Sequence, residues 1–236
     1  GDVVAFDQNY IIDPAALAVP TIQPQVSLGI HKVAVIMFNF QNRQIQPMTA
    51  DAVRSVVWGP DGVKDYYQEV SGTQTIIGSK INPDGDVYGW VTIPYNYDEF
   101  CREITWGQAA EQILTDQGVD LSGYDNIIYY FPYAIGCHFG GFAELNGEHV
   151  WINNYFNIFA VAHEIGHNLG ALHANAYSCT DAQGTRVTLG SNCHDIDYGD
   201  PFDLMGLNNT RHLSAYHKAQ VGWYNRPDDT QVVTAT

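Results

Sequence analysis

Positive charge is scarce in this chain. Lysine and arginine together number 10 against 26 aspartates and glutamates, a formal net charge of −16. Nucleic acids and anionic membranes are recognised by basic surfaces, so this balance argues against both as partners. Long hydrophobic runs are also missing, and without about 18 consecutive apolar residues nothing in the chain reads as a membrane span. The first residues, Gly1-Asp2-Val3-Val4, offer neither a basic start nor an apolar stretch, so a secreted protein beginning here is a processed or trimmed form. Internal repeats and low-complexity linkers are absent. What is present is apolar: 45% hydrophobic residues with only 15% charged, in 236 residues, enough for a substantial core in one large domain or two small ones.

The stretch that concentrates chemistry is His163-Glu164-Ile165-Gly166-His167-Asn168-Leu169-Gly170-Ala171-Leu172-His173, of the form H-E-x-x-H-x-x-G-x-x-H. Four residues along a helix advance the direction by about 400°, so His163 and His167 project from one face. Two imidazoles so placed can close on one ion at roughly 2.0–2.1 Å. A helix continued further would carry His173 away, but Gly170 can take the left-handed conformation that ends a helix and turns the chain back. Three neutral imidazoles leave a fourth position for water, as in a catalytic zinc site rather than a structural one. Glu164, beside the first ligand, is the candidate general base.

Four cysteines, Cys101, Cys137, Cys179 and Cys193, allow three pairings, and none lies in a C-x-x-C motif. With histidines supplying the metal ligands, two disulfides in an oxidising compartment are expected. Cys179 with Cys193 would close a short loop past the third histidine, and Cys101 would then pair with Cys137. The competing reading is four free, buried thiols in a cytosolic protein.

Along the chain the pattern alternates strand and helix before the motif and becomes mostly loop after it, an α/β (α+β) arrangement. Residues 1–31 show no period and are expected to wrap the outside. The apolar run 33–40 reads as a buried strand. Thr49 can cap a helix over 50–57 that Gly59-Pro60 ends, and a second helical piece covers 63–70. Strands are expected at 75–77, 87–93 and 126–131, with a helix over 108–114 between the last two. Segments 139–145 and 149–152, split by Asn146-Gly147, suggest a hairpin. The apolar run 155–162 is helix-compatible and leads into the motif. A last helix is expected near 214–221.

These eleven residues resemble the extended zinc signature of the metzincin metallopeptidases. Downstream, Tyr198-Gly-Asp-Pro-Phe-Asp-Leu-Met205-Gly206 is by itself a Pro/Gly-punctuated turn, yet it is similar to the methionine turn of that group. Its form Y-G-D-P-x-x-x-M-G, with Ala174 after the third ligand, is most similar to the gametolysin-like branch. Tyr66-Tyr67 followed by Glu69 and Ser71, Gly89-Trp90-Val91-Thr92 ending at Pro94, and 118–125 fit that branch as well. The resemblance covers roughly residues 33–224.

The resemblance implies one metallopeptidase catalytic domain over 1–236. An upper lobe, 1–170, would hold a twisted mixed sheet with two long helices, including the active-site helix. An irregular lower lobe, 171–236, would hold the methionine turn and a C-terminal helix. Met205 would pack beneath the zinc as a structural base, and an extended peptide would pair with an edge strand near 139–145. The tyrosine that some metzincins place two residues after the methionine is replaced here by Leu207. Tyr198 and His194 are the candidate substitutes for holding the tetrahedral intermediate or the substrate. The implied protein is a secreted, monomeric zinc endopeptidase.

Further candidates are weaker. Asp84-Gly85-Asp86 starts like a calcium loop, but the twelfth EF-hand position would be Tyr95, so a turn is expected. Asp195, Asp197, Asp200 and Asp203 are candidates for gathering a calcium ion. His138, His149, His212 and His217 lack ligand spacing and read as surface or core residues. Asn208-Asn209-Thr210 is a glycosylation sequon. Two other functions fit a zinc site: a zinc-stabilised module that binds protein or matrix without cutting, and a zinc amidase acting on a non-protein substrate.

Overall fold

The computed structural model describes residues 27–190, 192–207 and 210–224. The expected outer wrap thus falls outside these residues except at its end, as do the first two residues of the sequon. The architecture is a mixed α/β fold. At its centre is β1, Gly29–Phe40. Val33, Val35 and Met37 point into one core and Ala34, Ile36, Phe38 and Phe40 into another, all fully buried. Burial on both faces explains why the sequence there is a continuous apolar run rather than an alternation.

Parallel to β1 run β2 (Thr75–Gly78) and β3 (Asp86–Ile93) along one edge and β4 (Asn126–Phe131) along the other. Beyond β4 lie β6 (His149–Asn153), parallel to it, and β5 (Gly141–Ala143), antiparallel and terminal. The expected hairpin forms with a shorter first strand. Asn146 takes the turn with φ +54°, a left-handed conformation that asparagine tolerates.

Helices cover both faces. On one side sit α1 (Ala50–Trp58), capped by Thr49, which accepts the Ala52 N–H at 3.2 Å, and α2 (Val63–Val70), with the motif helix α4 (Ile158–Asn168). The opposite face packs α3 (Glu103–Asp116) through Trp106, Ala110 and Leu114. Trp106 is fully buried, edge-on to Phe40 with ring centroids 4.9 Å apart. Such a pair adds about 0.5–1.5 kcal/mol to the area term. α3 starts at Glu103 rather than at Gln108, and Arg102 before it makes no side-chain cap bond, so no capping residue in the sequence marks that start. α4 starts at Ile158 and not at Tyr155, since Asn157 caps it by accepting the Ala160 N–H at 2.9 Å.

After Gly170 the expected loop contains an antiparallel pair, β7 (Ala176–Cys179) with β8 (Cys193–Ile196). Both expected disulfides are present: Cys179–Cys193 ties this pair, and Cys101–Cys137 ties the segment leading into α3 to the loop before β5. α5 (Ala215–Gln220) follows, capped by Ser214. The chain then returns to the upper core, where Trp223 Nε1 donates to Thr75 Oγ1 at 2.7 Å. Leu204, Met205, Leu213, Val221 and Trp223 share one apolar cluster with α4. No helix among the described residues is long and apolar enough to cross a membrane.

Candidate metal centre and active site

α4 is held at three points along its length. Asn157 caps its start, and in the middle Tyr67 Oη donates to the Ala162 carbonyl at 2.6 Å. At the end, Asn168 Nδ2 donates to the carbonyls of Glu144 and His149, and Asn168 Oδ1 accepts from Asn126 Nδ2. Gly170 then turns at φ +102°, with its N–H bonded to His167 O and the Ala171 N–H to Gly166 O. That pair of bonds is the Schellman termination, and it satisfies carbonyls the helix would otherwise leave bare. The chain reverses as the glycine predicts and brings His173 back.

His163, His167 and His173 come together. One ligating atom from each lies within 4.8 Å of the others, and the ring centroids are 4.9–5.6 Å apart. Each imidazole is oriented from its Nδ1 side: His163 donates to Leu204 O at 2.9 Å, His167 to Ala171 O at 2.8 Å, and His173 to Asp197 Oδ1 at 3.1 Å. A carbonyl or ionised carboxylate can only accept, so Nδ1 carries a proton, and in a neutral ring so held Nε2 is the atom with the free lone pair. Burial lowers the pKa of His163, and it lowers that of His167 to about 4, which holds both rings neutral. Three imidazoles oriented from their Nδ1 sides, with Nε2 available on the other, fit a zinc ion.

Glu164 is buried, 7% exposed, between this cluster and the edge strand. Without a cation beside it, burial raises its carboxyl to about 8. A nearby positive ion acts the other way and favours the carboxylate. Gly141 on β5 makes room for it, since a Cβ there would strike the Glu164 carboxylate. The outer edge of β5 pairs with no other strand among the described residues. Two hollows meet at Glu164. One, of about 730 Å³, is walled by Tyr155, Phe159 and Leu207; the other, of about 390 Å³, by Phe142, Leu145 and Leu172.

Met205 is fully buried below α4. A Cβ on Gly166 would lie 2.6 Å from its sulfur, so the glycine is what lets the turn approach the helix. Tyr198 lines both hollows, and its ring centroid is 3.8 Å from that of His173. Burial, with Asp197 and Glu164 nearby, raises its pKa, so the hydroxyl stays protonated. His194 is not brought in: it is exposed on β8, paired with Ser178, and lines neither hollow.

The four aspartates do not gather around a calcium ion. Asp195 accepts from Asn175, Asp197 from His173, Asp200 from the Phe202 N–H, and Asp203 is fully buried with partners of its own. Asp84-Gly85-Asp86 is a turn in which Asp86 accepts the N–H groups of Lys80, Ile81 and Asn82.

Three residues support the site in roles that the sequence reading did not assign to them. Burial alone would raise the pKa of Asp203, but bonds from His217 Nδ1 at 2.8 Å and the N–H groups of Met205 and Ser214 hold it below 3.8. Asp203 thus fixes the turn whose Leu204 carbonyl orients His163. The partner, His217, is a core residue of that turn. Asn153, also fully buried, donates to the carbonyls of Ala134, Cys137 and Phe139 and accepts the Ala134 N–H, shaping the loop before β5. Polar residues within an apolar strand end or turn gave the only available hint of either role.

Residues 138–196, from just before β5 through β8, match the model described as Metallo-peptidase family M12B Reprolysin-like. The match spans the edge strand, the motif helix and all three histidines. Among solved structures, the chain is similar to an archaemetzincin from Methanopyrus kandleri, at 12% identity and a TM-score of 0.39, covering 82% of this chain and 96% of that one. No curated protein matches the chain. The matched stretch, which carries the H-E-x-x-H-x-x-G-x-x-H residues, is thus similar to a family of metallopeptidases.

Proposed function

We propose that this chain is a secreted zinc endopeptidase that hydrolyses protein or peptide chains bound in extended form. The observation that carries the proposal is the convergence of three Nδ1-anchored histidines and one buried carboxylate beneath an unpaired strand edge. When bound by His163, His167 and His173, zinc supplies a Lewis acid that acidifies water and polarises a carbonyl.

The rest falls to the chain itself. The free edge of β5 offers backbone N–H and C=O groups in register with an extended substrate. That edge aligns the scissile bond past Glu164, with substrate side chains entering the two hollows. Glu164 takes a proton from the attacking water and passes it to the leaving amine. Tyr198, a protonated donor beside His173, is positioned to stabilise the developing oxyanion in place of the missing tyrosine after the methionine. Met205 serves as the floor of the site.

Secretion is supported by the two disulfides, which persist in oxidising compartments. Free thiols at these cysteines in protein from its native source would count against it. The gametolysin-like branch rests on the sequence pieces around Tyr66 and Tyr198, and 1–236 is proposed to act as one monomeric catalytic domain.

The test is Glu164→Gln assayed on casein, with zinc analysis in parallel. General-base catalysis contributes about 10²–10⁴-fold, so hydrolysis should fall by that factor while zinc content and fold persist. Near-normal hydrolysis with zinc bound would remove Glu164 from this role.

A further inference from the structure

The three histidines are not supported alike. His163 and His167 donate to backbone carbonyls of Leu204 and Ala171, whereas His173 donates to a side chain, Asp197 Oδ1, at 3.1 Å. Resting on the zinc reading above, we infer that Asp197 is a positioning residue for the third ligand and sets how tightly the metal is held.

His173 lies beyond the end of α4, so no helix fixes its ring. Asp197 meets its Nδ1 edge, and the Tyr198 ring lies against it with centroids 3.8 Å apart. Two consecutive residues thereby fix the ring's rotation and keep Nε2 turned toward His163 and His167. The segment that carries them is docked back onto the strand following His173. Tyr198 N–H donates to Asn175 Oδ1 at 3.1 Å, Asn175 Nδ2 to Asp195 Oδ2 at 2.9 Å, and Asp200 N–H to Ala174 O at 3.0 Å. Cys179–Cys193 closes the far end of the same hairpin. A carboxylate on Nδ1 also makes the imidazole a stronger ligand than a carbonyl does, because it stabilises the positive charge that metal binding draws onto the ring.

Losing such a partner lowers metal affinity by roughly 10–100-fold. The Asp197 side chain is 62% exposed, and solvent weakens an exposed ionic contact. The expected loss is therefore at the lower end, about 10-fold.

The experiment measures zinc affinity of the full chain by competition with a chromogenic chelator, for wild type, Asp197→Ala and Asp197→Asn, with melting of each metal-free protein in parallel. Asp197→Ala should release zinc about 10-fold more readily while its metal-free melting temperature stays at the wild-type value. Asp197→Asn, which keeps an acceptor oxygen but not the charge, should recover part of that loss. Equal zinc affinity in wild type and Asp197→Ala would overturn the role of Asp197 and leave the zinc reading intact. Loss of affinity matched by a lower metal-free melting temperature in both variants would reduce Asp197 to a structural residue. A wild-type chain that binds no zinc would overturn both readings at once.

Discussion

The chain before Gly170 and the chain after it reach the same corner of the molecule by different physical means. Before Gly170, bulk packing carries most of the positioning, supplemented by the bonds of Tyr67, Asn157 and Asn168 along α4. α4 buries Val161, Ala162 and Ile165 against strands that are themselves covered on both faces, so His163 and His167 inherit their places from dozens of weak contacts. After Gly170, a smaller apolar set around Leu204 and Met205 is held in shape by a few discrete bonds. Asp203 collects three donors, Met205 O accepts the Ala174 N–H at 2.8 Å, Asp200 N–H returns to Ala174 O, and one disulfide closes the hairpin. Distributed packing loses energy when one side chain is truncated but keeps its geometry. A turn held by single acceptors loses its geometry when one acceptor is removed. Substitutions in the two halves should therefore separate stability from metal binding.

The largest stability effect belongs to the packed half. Trp106→Ala empties a fully buried site on the sheet face away from the histidines and should cost about 3–5 kcal/mol in urea unfolding. Zinc affinity of the folded protein should be unchanged. A loss of affinity as large as that expected for Asp197→Ala would break the contrast between the two halves.

In the bonded half, Asp203→Asn removes the charge behind three hydrogen bonds. One charge-assisted bond is worth about 1.5–3 kcal/mol, so a loss in that range is expected, together with weaker zinc binding because the Leu204 carbonyl shifts. The same residue sharpens the pH behaviour. Its carboxyl titrates below 3.8 in the folded protein, so the unfolded chain takes up the proton first as pH falls. The stabilisation is complete above that value and is lost as pH drops through the lower folded value. Wild type should lose stability across this acid range faster than Asp203→Asn, as followed by melting temperature against pH.

The smallest effect tests the seam between the halves. In Gly166→Ala the new methyl meets the end of Met205, a flexible thioether that can yield. The cost should be near the low end for overpacking, about 1 kcal/mol by thermal melting. A much larger loss would mean that the methionine turn is as rigidly packed as the sheet.

The same contrast explains what was legible in the sequence. Packing leaves periodic traces: the run 33–40, the Thr49 cap, the last helix near 214–221 and the strand 126–131 all appear where their patterns put them. The H-E-x-x-H-x-x-G-x-x-H spacing was readable because each element of it, helical repeat and glycine turn alike, is local. Discrete bonds leave no such trace. β7 and β8 are short and without alternation, so they read as loop, and their partner contacts become visible only in three dimensions. Gly166 looks interchangeable until Met205, far along the chain, is seen against it. Asp197 and Asp203 look like members of one acidic cluster, while the fold turns one toward His173 and buries the other beneath the site.

Zinc dependence of hydrolysis is checked by zinc analysis of freshly purified protein, paired with casein hydrolysis before chelation, after chelation and after zinc is restored. About one zinc per chain is predicted, as for a three-histidine catalytic site, with hydrolysis lost on removal and regained on return. A folded chain that holds no zinc, or hydrolysis that persists once zinc is gone, would contradict it.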